Sequence, residues 1–181
     1  MPEITTSSWF PVVTLLLGYA TKSLSDWLEH RRNTRREREA REAARRDKLY
    51  EQRISFQRQT LLDLQEASAQ LARSVGAVTH QDRMAYRSTG KWRKALLSDE
   101  LNEGNRLAQA RTGMLGPRVR DDATRQLVDK LKTRSAEAVN SPTPQDCERA
   151  DIDVTLIYTE LNQRIGEVLR KLDDAEQVDF P

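Results

Sequence analysis

Residues 50–79 read YEQRISFQRQTLLDLQEASAQLARSVGAVT, and this stretch decides the fold class of the chain. Its apolar positions alternate in steps of four and three, the spacing that keeps side chains on one face of an α-helix. The stretch therefore predicts a helix with a heptad seam, interrupted by the polar residues Gln57 and Ser68. The seam consists of Tyr50, Ile54, Gln57, Leu61, Leu64, Ser68, Leu71, Val75 and Val78.

A second seam of the same kind lies near the C-terminal end of the chain. Weaker helical patterns cover 83–114 and 117–139, a loop is expected at 141–144, and Ser88-Thr89-Gly90 is a candidate break. Two seams and two amphipathic partners can enclose a core, which predicts a three- or four-helix bundle over 49–176 and a frayed tail at 177–181. Self-association of the seams into a parallel coiled coil, giving a homo-oligomer, is the alternative. The second seam consists of Val154, Tyr158, Leu161, Ile165, Val168, Leu172 and Ala175.

The composition also favours an all-α fold. The chain has 181 residues, of which 37% are hydrophobic and 32% charged, with only seven glycines. Its richness in Ala, Glu, Arg, Leu and Gln is typical of long helices. The single cysteine, Cys147, excludes an internal disulfide framework and favours a reducing compartment.

Residues 9–28, WFPVVTLLLGYATKSLSDWL, form a candidate membrane anchor. As a helix the segment would be about 30 Å long, the thickness of a hydrocarbon core, with a tryptophan near each end. Lys22 and Asp26 oppose insertion, at up to about +3 kcal/mol each, while each Leu, Val or Phe contributes about −0.3 to −0.6 kcal/mol. The predicted anchor residues are Trp9, Phe10, Val12, Val13, Leu15, Leu16, Leu17, Leu24, Trp27 and Leu28.

Three interpretations of this segment stay open: a single-pass membrane helix, an interfacial helix, and the first helix of a soluble bundle. Helical spacing places Val13, Leu16, Leu17, Ala20, Leu24 and Trp27 on one face of it. If the helix spans, the arginines that follow keep the rest of the chain in the cytoplasm and the N-terminus outside. A cleaved signal peptide is disfavoured because no basic residue precedes the apolar run.

Residues 29–48 are rich in arginine and glutamate, and residues 30–48 carry a net charge of +5. Pairs four residues apart, such as Glu37 and Arg41, support a solvated helical stalk, expected to continue from about Asp26 to Thr79 in one helix. Basic residues next to an anchor are also attracted to anionic lipid headgroups. The predicted headgroup contacts are Arg31, Arg32, Arg35 and Arg36.

No catalytic, cofactor or metal-binding motif is found in the sequence. His30 and His80 lack partners at ligand spacing, and no nucleophile motif or phosphate-binding glycine loop occurs. The polar patch of Arg118, Arg120, Asp121 and Asp122 favours intramolecular salt bridges over partner binding. Trp92 is interpreted as packing with Leu96 rather than as an exposed hot spot.

The run FQRQTLLDLQEA at 56–67 and the run RVRDD at 118–122 resemble segments of a group of small bacterial proteins from high-GC genomes. The resemblance covers most of the chain in layout but is specific only over these two runs. It implies the same architecture of apolar N-terminus, Arg/Glu stalk and helical region, and it implies no activity or site.

The sequence therefore predicts a membrane-tethered, mainly cytoplasmic helical scaffold or adaptor that acts through an unidentified protein partner, and not an enzyme. The competing hypothesis is a soluble helical protein that binds nucleic acid through the Arg-rich segment 31–48.

Overall fold

A computed structural model describes residues 10–93 and 97–178, with side chains described at 15, 22, 27, 29–93 and 97–175. No strand occurs in these residues. The all-α class and the helical bundle predicted from the sequence are confirmed. The described helices are α1 (Phe10–Thr89), α2 (Asp99–Leu115), α3 (Asp122–Val139) and α4 (Pro144–Val178), with a 3₁₀ turn at Gly116–Arg118.

The chain divides between Gln52 and Arg53 into two compact units, and helix α1 contributes to both. In the first unit every side chain from Glu29 to Gln52 is exposed except that of Thr34, which is half-exposed. The Thr34 hydroxyl donates to the carbonyl oxygen of His30 at 2.8 Å. No other segment of this unit's described residues covers the helix.

Within the described residues no helix is both long enough and apolar enough to cross a membrane. The single-pass helix predicted over 9–28 is not supported by this finding. Leu15 and Trp27 are exposed, at 74% and 54%. Outside the described residues lie Trp9 and the side chains of Phe10, Val12, Val13, Leu16, Leu17, Leu24 and Leu28.

The second unit has a closed apolar core built from both predicted seams. Gln57 and Ser68, the two polar interruptions of the first seam, are buried with its apolar members. Tyr50 belongs to the first unit and is 41% exposed. The first seam contributes Ile54, Leu61, Leu64, Leu71, Val75 and Val78 as buried residues. The second contributes Val154, Leu161 and Ile165 as buried residues, with Tyr158, Val168 and Leu172 partly buried against the core.

The helix boundaries differ from the predicted ones at three places, of which one is the second helix, predicted from residue 83 but beginning at Asp99. Helix α1 does not end near Thr79 but continues to Thr89, at the candidate break Ser88-Thr89-Gly90, because Gly90 adopts a left-handed φ of +66°. Helix α3 begins at Asp122 and not at Pro117, because Pro117 lies inside the 3₁₀ turn Gly116–Arg118 and Asp121 provides the N-cap of α3.

The connection between α3 and α4 follows the predicted loop. Helix α4 begins at Pro144, which suits a first helical position because proline has no N–H to satisfy. The Thr143 hydroxyl accepts from the backbone N–H of Asp146 at 3.1 Å, as a capping residue does. At its other end α4 continues to Val178, two residues into the predicted tail, and 179–181 lie outside the described residues.

Candidate interaction surfaces

The connection between α2 and α3 is clamped by the side-chain amide of Gln57. Its Nε2 donates to the carbonyl oxygen of Arg118 at 3.0 Å, and its Oε1 accepts from the backbone N–H of Arg120 at 3.0 Å. Both polar ends of a buried amide are therefore satisfied by one short backbone segment. Gln57, one of the two polar interruptions of the first seam, therefore holds the connection between α2 and α3 against α1.

The carboxylate of Asp121 joins this connection to α4. It caps α3 by accepting from the backbone N–H of Thr124 at 2.9 Å. It also pairs with the Arg164 guanidinium through two hydrogen bonds, Nε to Oδ2 at 2.9 Å and Nη2 to Oδ1 at 2.6 Å. The Arg164 hydrogen bonds hold the pKa of Asp121 well below its usual range, since they stabilise the charged form.

The polar patch at 118–122 thus separates into two kinds of residue. Asp121 and Asp122 form intramolecular ion pairs, the latter with Arg125. Arg118 and Arg120 are exposed, and neither side chain has an ion-pair partner among the described residues. The acids of the patch are structural, whereas its two arginines are accessible to an external anion or partner.

Trp92 docks on the connection between α3 and α4. Its indole N–H donates to the carbonyl oxygen of Ser141 at 2.9 Å, and its ring meets that of Tyr86 edge-on with 5.9 Å between centroids. The half-buried indole therefore packs inside the bundle. Leu96, its predicted packing partner, lies outside the described residues.

A buried thiol and a buried carboxyl lie within this part of the second unit. Cys147 is 1% exposed, and burial raises the pKa of its thiol, so the nucleophilic thiolate is disfavoured at neutral pH. Asp82 is 6% exposed, and burial raises its pKa against the opposing charge of Arg93. Both side chains are buried, so neither the thiol nor the carboxyl is exposed to solvent in the described structure.

A groove of about 770 Å³ runs between α3 and α4. Leu156, 63% exposed, and Ile157 contribute its apolar wall. Arg134 spans the rim, where it pairs with Glu137 at 2.5 Å and with Asp153 at 3.6 Å. An open apolar wall with a charged rim is typical of a protein-binding surface.

The first unit presents a second type of surface, a helix of exposed charges. Arg35 pairs with Glu39 at 2.9 Å and Arg41 with Glu37 at 3.4 Å, both four residues apart. The Arg31 guanidinium stacks on the Trp27 ring, 5.1 Å from its centroid. The predicted headgroup contacts Arg31, Arg32, Arg35 and Arg36 are all exposed.

No group of three or more metal-binding side chains converges within the described residues. His30 and His80 are both exposed on α1. No protein-family model, curated protein or solved structure matches the chain. The features that bear on function are therefore the groove between α3 and α4 and the exposed charged helix of the first unit.

Two polar contacts inside the second unit were not predicted from the sequence. The Gln57 clamp was interpreted only as an interruption, although a glutamine inside an apolar seam signals a buried amide that needs partners. The Asp121–Arg164 pair joins residues 43 positions apart, which no local pattern reveals.

Proposed function

We propose that the protein is a non-enzymatic adaptor that attaches to a membrane through residues 9–28 and the arginines that follow, and presents its helical bundle to a protein partner. The observation that carries the proposal is the contrast in burial between the two units. The second unit covers its own core, while the first exposes nearly every described side chain, Trp27 and Leu49 included.

Membrane attachment provides a cover for the described side chains of the first unit, nearly all of which are exposed. An isolated helix is marginally stable in water, and exposed tryptophan and leucine side chains lose hydrophobic free energy there. A bilayer interface receives such side chains, and its anionic headgroups attract arginine. A helix of this composition is therefore suited to a lipid surface.

The groove between α3 and α4 is the proposed site for the protein partner. Leu156 and Ile157 offer apolar contacts in a lining that is otherwise polar, and the Arg134, Glu137 and Asp153 network supplies charged contacts. A partner helix with an apolar stripe fits such a groove, since helix-in-groove recognition uses this combination.

Fractionation of the tagged full-length protein tests the attachment. We expect the wild type to pellet with membranes, and deletion of 1–28 to release it. The double substitution Leu16→Glu/Leu17→Glu should also release it, because acids there oppose burial in lipid. The matched control Thr155→Glu/Thr159→Glu places two acids on exposed bundle positions and should stay in the pellet.

A nucleic-acid-binding function predicts a different result. The wild type would then remain in the supernatant and bind DNA or RNA with a steep salt dependence. Recovery of the wild type in the supernatant would contradict the proposed attachment, whichever nucleic acid it bound.

A further inference from the structure

In the helix of the first unit, the balance of arginines and acids differs between two opposite faces. Residues four and seven positions apart share a face of an α-helix. We define the arginine face as Trp27, Arg31, Arg35, Arg38, Glu42, Arg45 and Leu49, which follow these steps. Four arginines and one acid therefore lie on this face.

The opposite face has the reverse balance. Two arginines, Arg32 and Arg36, share it with three acids. Alanines fill much of the remaining surface. The members of this face are Glu29, Arg32, Arg36, Ala40, Ala43, Ala44, Asp47 and Glu51. The arginine face thus has a net charge of +3 and the opposite face one of −1, while Arg41, Arg46 and Lys48 lie on the flanks between them.

Large exposed apolar side chains stand at both ends of the arginine face. Trp27 is 54% exposed and Leu49 is 53% exposed. Arg38 and Arg45, which lie between them, have no ion-pair partner among the described residues. Their positive charge is available to an external anionic surface.

The arginine face continues the apolar face predicted for the preceding segment. Leu17, Leu24, Arg31, Arg38 and Arg45 follow one another at steps of seven, and helix α1 runs through all five positions without a break. One side of the helix therefore changes from apolar residues to arginines along its length. A helix of this kind can bury the apolar part of that side at a bilayer interface while the arginines further along the same side meet anionic headgroups.

We propose that the arginine face lies along the surface of an anionic lipid bilayer, with Trp27 and Leu49 at the interface and the arginines on headgroup phosphates. The inference rests on the proposed membrane attachment and specifies its geometry. Because α1 is continuous, the same geometry places 10–28 at the interface and not across the bilayer. Arg32 and Arg36, predicted headgroup contacts, then point away from the lipid.

Lipid explains this face better than nucleic acid does. Arginine binds the phosphates of either partner, since its guanidinium matches phosphate geometry. The tryptophan and leucine on the same face have no role in contacting a duplex backbone, but both are favoured at a bilayer interface. The apolar continuation toward residue 17 adds to this preference.

Vesicle binding by the purified full-length protein tests the assignment with two matched variants. Arg38→Gln/Arg45→Gln removes two charges from the arginine face, and Arg32→Gln/Arg36→Gln removes two from the opposite face. On phosphatidylcholine vesicles containing phosphatidylserine, we expect the first variant to bind about tenfold more weakly and the second to change by less than about twofold. Circular dichroism checks that both variants keep their helix content.

Spin labels provide a second measurement that does not depend on affinity. Arg38→Cys and Arg36→Cys carry the label on opposite faces, and Cys147 does not compete because it is buried. On anionic vesicles the label at 38 should be shielded from an aqueous relaxation agent, and the label at 36 should stay accessible.

The outcomes separate the two proposals. If the wild type binds vesicles but both double variants weaken equally, or both labels are equally accessible, the facial assignment is wrong and membrane attachment stands. If the wild type binds no vesicles, both proposals are wrong. If it binds duplex DNA more tightly than anionic vesicles at equal salt, with the same difference between faces, the lipid assignment is overturned in favour of nucleic acid.

Discussion

The two units of this chain are both helical, but the second buries the side chains that share a helix face and the first exposes them. In the second unit, leucines and valines at steps of three and four meet those of other helices, and the side chains at these positions are buried. In the first unit, the residues at the same steps are mainly arginines, with a tryptophan and a leucine, and their side chains are exposed. Helical periodicity thus fixes which residues share a face, and the chemistry of that face determines what can cover it.

The largest effect expected from this comparison is in the bundle core. Leu161→Ala leaves a cavity at a fully buried position and should lower the free energy of unfolding by about 2–5 kcal/mol. Leu49→Ala, in the first unit, should change it by about 0.5 kcal/mol or less. Chemical denaturation of the full-length protein measures both, and similar losses at both positions would show that the first unit shares the core.

The clamp between α1 and the α2–α3 connection should have the next largest effect. Gln57→Ala leaves the Arg118 carbonyl and the Arg120 N–H without their partner, and we expect a loss of about 1–3 kcal/mol in the free energy of unfolding. Gln52→Ala is the matched control at an exposed position of the same helix. If Gln57→Ala behaves like the control, the amide does not stabilise the connection.

The Asp121–Arg164 pair predicts a smaller effect with a defined pH dependence. Asp121→Asn keeps a good N-cap but removes the charge, and should cost about 1 kcal/mol at pH 7 because the pair is partly solvent-exposed. The folded-state pKa of Asp121 is lowered, so the stability it contributes is present above its ordinary pKa of about 3.9 and is lost as the pH falls. The difference between wild type and variant should therefore narrow below about pH 4. A difference that is constant with pH would exclude this pair as its source.

The exposed ion pairs of the first unit should matter least. Glu39→Gln removes the partner of Arg35 and should change helix stability by about 0.5 kcal/mol or less, because solvent and salt screen such pairs. Circular dichroism at low and high salt measures the change. A large loss of helix stability would mean that ion pairs stabilise the helix of the first unit and that it does not need a membrane surface to cover it.

The bundle could be predicted from the sequence because the spacing of apolar residues within each helix is a local pattern. Leu61 and Leu64 on α1, and Leu161 and Ile165 on α4, reveal their common face by spacing alone, and all four are buried. The predicted boundary near Thr79 was wrong because no residue between Thr79 and Arg83 breaks a helix, whereas the candidate break at Ser88-Thr89-Gly90 coincides with the end of α1.

Long-range polar contacts could not be predicted in this way. Gln57 finds its partners 61 and 63 residues away, and Arg164 reaches Asp121 across 43 residues. Neither pairing leaves a local pattern. The arginine face, by contrast, can be identified from the sequence, because charged residues at helical spacing share a face just as leucines at that spacing do.

Hydrogen–deuterium exchange of the full-length protein, with and without anionic vesicles, tests the contrast between the units most directly. Without vesicles, amides at 29–52 should exchange quickly, since nearly all the side chains there are exposed, and the core amides of α1 and α4 around Leu64 and Leu161 should be protected. Vesicles should slow exchange at 29–52 and leave the bundle core unchanged. Strong protection of 29–52 without vesicles, or no change when they are added, would contradict the account.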